Sequence, residues 1–150
     1  MRILDLSAGN RAVWMNKKHP DALYLDIRPE VKPDIVCDTT NLPPEIGYNF
    51  NLIVFDPPHV NFGKNSNMAR VYGYHTSEQI RDTVMGSAKE AHRVSSKDCL
   101  MAFKWNDHDM KLKYVLSLLS TWWEPLFGHW MRNGPESKSQ TYWVMLRRKP

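Results

Sequence analysis

Apolar positions in the first third of the chain come in short runs, each followed by an acid or a turn residue. Ile3-Leu4-Asp5-Leu6 reads as a first strand over 2–6 and Leu23-Tyr24-Leu25 as a second over 22–27. Ile35-Val36-Cys37 gives a third over 34–37, and Leu52-Ile53-Val54-Phe55 a fourth over 51–55. Runs this short, without a helical stripe, mark strands buried on both faces, as in a parallel sheet. A turn over 7–10 carries Gly9, and 11–18 is predicted as a helix. Residues 28–33 are too few and too rich in proline for a crossover helix, so a turn or one helical turn is expected there. A loop with at most one turn of helix is expected over 39–48, which holds Pro43, Pro44 and Gly47.

The period changes after residue 75. Ile80, Val84, Ala88 and Ala91 recur at helical spacing, predicting a helix over 76–94 capped by Thr76 or Ser77. Residues 100–105 read as a fifth strand. Asp107 can start a second helix through Met110, Tyr114, Val115, Leu118 and Leu119. Two aromatic-rich segments, 122–131 and 141–148, flank the turn sequence Asn133-Gly134-Pro135 and read as an antiparallel pair. Strand–helix alternation closed by a hairpin gives an α/β fold, a mainly parallel sheet with a C-terminal antiparallel hairpin. The segment 59–75, polar and bearing glycine, is long for a connection and is expected to be a binding loop.

At 150 residues and 42% hydrophobic content the chain is expected to form a single domain over 1–150, with no separate target recognition domain. The net charge of +4 permits an anionic partner without requiring one. Cys37 and Cys99 sit in apolar runs and make no disulfide framework, so a reduced, cytoplasmic setting is expected. No apolar stretch approaches the length that spans a membrane. His92, His108 and His129 have no metal-ligand spacing, and no metal is expected.

The chemistry concentrates where the strands end. Asp5, Asp26, Asp38 and Asp56 close four successive strands and would lie along one edge of a parallel sheet, the edge at which open α/β sheets bind ligands. After the fourth strand, Asp56-Pro57-Pro58-His59 forms a rigid turn, because two prolines can neither extend the strand nor continue directly into a helix. This tetrapeptide resembles the (D/N/S)-P-P-(Y/F/W) signature of class I S-adenosylmethionine-dependent methyltransferases that act on exocyclic amino groups of DNA adenine or cytosine. Ile3-Leu4-Asp5-Leu6-Ser7-Ala8-Gly9 is similar to the first motif of the same family, with a single glycine where two or three are usual.

The resemblance implies a Rossmann-like fold, S-adenosyl-L-methionine as cofactor, and roles for particular residues. Asp5 would orient the methionine part, with Ser7, Ala8 and Gly9 in backbone contact. Asp26 would accept from the ribose hydroxyls, Ile27 would cover one face of the adenine, and Asp38 with Thr39 would meet its amino group. Asp56 and the carbonyl of Pro57, kept directed inward by Pro57 and Pro58, would hold the target amine. His59 stands where the family places a stacking aromatic. Phe62, Lys64, Tyr72 and Tyr74, aromatic and basic residues interleaved on the following loop, suit contact with an unpaired nucleotide. A nucleic-acid substrate is expected, with specificity from loops, a homodimer or a partner subunit. Two rival readings share these residues: an RNA or small-molecule N-methyltransferase, and a non-catalytic subunit of the same fold that binds nucleic acid or a partner enzyme.

Overall fold

A computed structural model describes residues 1–60, 75–132 and 138–150. Seven strands among these form one sheet: β1 (Ile3–Asp5), β2 (Ala22–Asp26), β3 (Ile35–Val36), β4 (Phe50–Phe55), β5 (Ser95–Asn106), β6 (Trp123–Arg132) and β7 (Gln140–Arg148). Their order is β3-β2-β1-β4-β5-β7-β6. Pairings from β3 through β5 are parallel. The last hairpin inserts β7 antiparallel between β5 and β6. The expected α/β architecture is therefore present.

Helix α1 (Ser77–Val94) forms because its start is satisfied locally and its apolar stripe is continuous. Thr76 Oγ1 accepts from the Gln79 amide at 3.1 Å, and Gln79 Oε1 accepts from the Thr76 amide at 2.9 Å. Ile80, Val84, Ala88, Ala91 and Val94 are all fully buried. Gly86 lets the chain after β3 press against this helix, since a Cβ there would stand 2.9 Å from Thr40 Cβ.

Three boundaries differ from expectation. Residues 11–18 form turns rather than a helix. Arg11 is left-handed at φ 55°, and its amide donates to Ala8 O while the Trp14 amide donates to Arg11 O. The apolar residues there cluster at 12–15 and draw no helical stripe, and the indole of Trp14 is drawn inward. The helix expected from Asp107 begins only at Leu112, as α2 (Leu112–Leu119). Asp107 is occupied elsewhere, its Oδ1 accepting from the Gln140 amide at 2.7 Å. Strand β5 is longer than 100–105 because β7 pairs with it from Leu100 to Asn106 and β4 meets its start at Ser95.

The core lies between α1, α2 and one face of the sheet. Trp105, Trp123, Phe50, Phe55 and Phe103 are its largest buried side chains, and Phe103 stacks on Trp105 with ring centroids 5.9 Å apart. Both cysteines are free. No helix among the described residues is long and apolar enough to cross a membrane.

Candidate active site

Parallel strands that start in register also end in register, so the residues just past their carboxyl ends share one edge. Asp5 of β1 pairs with Tyr24 and Val54, and Phe55 of β4 pairs with Phe103 of β5. Continuing that register by one or two residues aligns Asp26, Ser7, Asp56 and Lys104 in a single row across β2, β1, β4 and β5. The continuation is visible in the bonds Leu6 N to Val54 O at 3.0 Å and Ala8 N to Leu25 O at 2.8 Å. The Asp56 amide donates to Ser7 Oγ at 3.0 Å. Because side chains alternate along a strand, Phe55 and Phe103 face the core while Asp56 and Lys104 face the opposite side together.

Asp5 lies behind this row and is 1% exposed. Its Oδ2 accepts from Trp14 Nε1 at 2.7 Å and its Oδ1 from the Ser7 amide at 3.1 Å. Burial pushes its carboxyl up to about 6, against the lowering effect of these two bonds. Both oxygens thus hold the turn that follows β1, and this arrangement gives Asp5 a structural task alongside the ligand contact expected of it.

At the β2 end, Asp26 is buried and saturated. Oδ2 accepts from the Gly9 amide at 2.8 Å, and Oδ1 accepts from the Arg28 amide at 2.9 Å and Arg28 Nε at 3.0 Å. A second guanidinium nitrogen of Arg28 lies 3.3 Å from Oδ2. Burial alone would raise this carboxyl, but Arg28 and the Gly9 amide outweigh it and hold it below the usual carboxylate range. Gly9 is left-handed at φ 49°, and a Cβ there would stand 3.3 Å from the Arg28 guanidinium. Ala8 is buried beside it. Ile27, 64% exposed, presents a bare apolar surface next to Asp26.

Asp38 lies at the exposed end of β3, where its Oδ1 accepts from the amide and hydroxyl of Thr40, each at 2.8 Å. It lines an open cleft with Thr40, His75, Gln79, Asp82 and Thr83. The Thr39 hydroxyl pairs with Ser87 Oγ of α1 at 2.7 Å, so it fastens the loop to the helix.

The β4 end is built differently. Asp56 Oδ2 accepts from Lys104 Nζ at 2.7 Å. Asp56 Oδ1 is buried and has no hydrogen-bond partner among the described residues. His59 Nδ1 stands 3.7 Å from it, too far for a bond. His59 Nδ1 instead lies 2.8 Å from Pro57 O. Its ring meets Trp105 edge-on at 5.9 Å. Desolvation lowers the imidazole below its ordinary range, despite the Asp56 charge and the Pro57 carbonyl, which favour protonation. The ring is therefore neutral near pH 7 and donates from Nδ1 to the carbonyl. Pro57 is buried and Pro58 half-buried, fixing this turn.

Asp5, Ser7, Gly9, Asp26 and Asp56 thus converge on one edge, with His59 folded over the Pro57 carbonyl. Phe62, Lys64, Tyr72 and Tyr74 lie outside the described residues. Three residues were missed from the sequence: Lys104, Trp14 and Arg28. Lys104 had a signal, a lone cation inside the apolar run Leu100-Met101-Ala102-Phe103-Lys104-Trp105. Trp14 and Arg28 had none, because their roles depend on how two turns fold back on β1 and β2.

No protein-family profile matches the sequence, and no curated protein sequence matches it. Solved structures do match in fold. N-methyltransferase NodS from Bradyrhizobium japonicum WM9, in complex with S-adenosyl-L-homocysteine, superposes with a TM-score of 0.66 at 11% identity over 99% of this chain and 78% of its own. A TehB-like S-adenosylmethionine-dependent methyltransferase from Corynebacterium glutamicum gives 0.67 at 16% identity over 99% and 80%. TrmN from Thermus thermophilus gives 0.62 at 14% identity, over 99% of this chain and 44% of the larger protein. The fold is the Rossmann-like fold of class I S-adenosylmethionine-dependent methyltransferases.

Proposed function

We propose that this protein is an S-adenosyl-L-methionine-dependent enzyme that methylates an exocyclic amino group of a nucleic-acid base, adenine N6 or cytosine N4 in DNA. The observation that carries the reading is Asp56 Oδ1, a buried carboxylate oxygen without a partner among the described residues, beside the Pro57 carbonyl. An unpaired buried acceptor is costly and persists where a ligand completes it. The ligand that completes it donates a hydrogen bond, as an aryl amine does. Such an amine is a poor nucleophile while its lone pair is delocalised into the ring. Two acceptors that grip its N–H groups favour the pyramidal geometry in which the lone pair is available. Asp56 Oδ1 supplies one acceptor. Pro57 O supplies the other once His59 turns aside, and a carbonyl has a second lone pair even before it does.

The cofactor residues fit the same reading. Asp26 with two carboxylate oxygens, the glycine turn at Gly9 and the exposed Ile27 face suit a ribose and an adenine ring. Ser7, Ala8, Asp5, Asp38 and Thr39 border them. When bound, S-adenosyl-L-methionine would supply an electrophilic methyl group, its sulfur keeping the bonding electron pair, to the amine nitrogen that Asp56 Oδ1 and Pro57 O would hold and that would then lose a proton to solvent. Among the fold's neighbours are an N-methyltransferase and a 1,6-didemethyltoxoflavin-N1-methyltransferase, both crystallised with S-adenosylhomocysteine, which supports the cofactor and transfer to nitrogen.

The basic charge and the aromatic and basic residues of 59–75 support a nucleic-acid target. On this reading 1–150 acts as one catalytic domain, with selectivity from that segment or from a partner subunit or second copy. A small-molecule or RNA amine is the second reading, favoured by His59 lying edge-on to Trp105, where a stacking face is only partly open. A non-catalytic subunit remains the rival outside enzymology. Radiolabelled cofactor offered with DNA, RNA and free nucleosides tests all three. Label in DNA as N6-methyladenine or N4-methylcytosine is the expected result. Label only in RNA or nucleosides moves the target, and cofactor binding without transfer to any of them rejects the enzyme.

A further inference from the structure

We propose that Lys104 is a positioning residue of the transfer site: its ammonium anchors Asp56 Oδ2 so that Oδ1 alone is turned toward the target amine. This rests on the amino-methyltransferase reading above. The register already makes the two residues neighbours, since Phe55 pairs with Phe103 and the next residue on each strand is Asp56 and Lys104. Both side chains are about three-quarters buried, at 22% and 24% exposure, and the contact is 2.7 Å. Asp56 is held at its side chain and at its backbone. Lys104 takes Oδ2, and the Asp56 amide is fixed on Ser7 Oγ at 3.0 Å. What is left is one oxygen, buried and unbonded among the described residues.

A lysine suits this task better than an arginine. Ammonium is a point donor that can take a single oxygen, whereas a guanidinium fork tends to take both, as Arg28 does on Asp26. The cation also leaves the target side free of a competing donor. Without it the carboxylate can rotate, and a misplacement of about 1 Å costs on the order of 100-fold in rate.

The neutral isostere Asp56→Asn exposes the logic. An amide oxygen would be drawn to Lys104, turning its NH2 group toward the substrate amine, so donor would face donor. Removing Lys104 from that background frees the amide to flip. Lys104→Met should therefore lower turnover in the wild type by on the order of 100-fold and raise it several-fold in the D56N background. Cofactor affinity by calorimetry should stay within about threefold in all four proteins, because two strands separate Lys104 from Asp26 in the row. The ammonium protons of Lys104, followed by nitrogen-15 NMR, should be protected from solvent exchange in the wild type and exposed in Asp56→Ala, a readout independent of activity. Lys104→Ala, which likewise removes the donor, replaces the Met variant if that one does not fold. Turnover within about threefold of wild type in Lys104→Met, or a fall of the same size in both backgrounds, overturns the proposal while leaving the enzyme reading intact. A wild type that binds cofactor but methylates no amine overturns the reading beneath it, and the proposal with it.

Discussion

The two ends of the polar row solve the same problem in opposite ways. Asp26 and Asp56 each close a parallel strand and each pairs with a cation. Asp26 takes its cation from two residues along the chain, as a fork on both oxygens, with the Gly9 amide added. Asp56 takes its cation from the neighbouring strand, on one oxygen, and leaves the other bare among the described residues. The first end is closed, so a ligand must displace protein–protein bonds to use it. The second end is preorganised, held in place before the ligand arrives. A carboxylate whose cation comes from a neighbouring strand is placed by sheet register, whereas one satisfied by its own turn can be opened by a side-chain rotation.

Removing the bare oxygen should have the largest effect. Asp56→Ala is expected to lower turnover by about 10²–10³-fold, the range typical for deleting one preorganised group from a transition-state site. Cofactor affinity should hardly change, because the loss belongs to the transfer step. Steady-state kinetics beside calorimetry check the split. Weakened cofactor binding with little loss of turnover would dissolve the contrast between the two ends.

Asp5, behind both ends, should show itself in stability. Its folded carboxyl is raised to about 6 from an ordinary 3.8, so between these values the folded protein holds a proton that the unfolded chain has released. Stability that is fully present below the lower value is therefore lost as pH rises through the upper one, by up to about 3 kcal/mol. Subtracting urea-melt stabilities of Asp5→Asn from those of the wild type should give a difference that falls from pH 4 to 6.5 and is flat above. A flat difference throughout would show the carboxylate to be better solvated than its 1% exposure implies. Asp26, held low, tends the other way, its share being lost as pH falls.

How much of this was legible in the sequence follows from the range over which each feature is decided. Strands β1, β2 and β4 and helix α1 are set by local apolar patterning and one capping box, and the sequence predicts them within a residue or two. The expected helix over 11–18 fails because Trp14 bonds Asp5 across nine residues and Arg11 takes a left-handed backbone, neither of which local periodicity encodes. The acids at the strand ends were visible as a pattern. Their partners were not, since Lys104 is brought to Asp56 only by the pairing of β4 with β5, 48 residues apart.

Asp26→Ala is expected to weaken S-adenosylmethionine binding by about 1–3 kcal/mol, the cost of leaving ligand hydroxyls without a good acceptor. The same change removes the acceptor of the Gly9 amide, so the turn after β1 should also loosen, seen as faster amide exchange at Gly9. Unchanged affinity would place the ribose elsewhere on the edge.

The smallest expected effect is the most telling about the closed end. If Arg28 competes with the ribose hydroxyls for Asp26, Arg28→Met should tighten cofactor binding by about three- to tenfold, since the ligand no longer has to displace the fork. Stability should fall by less than about 1 kcal/mol, because the guanidinium is 28% exposed and such pairs are partly screened. The two signs must be opposite, with affinity up and melting temperature slightly down. Raising salt from 50 to 500 mM should narrow the affinity gap between wild type and variant, as the pair it weakens exists only in the wild type. Weaker binding in Arg28→Met would reverse the assignment: the guanidinium would then be a ligand contact, and both ends of the row would be preorganised alike.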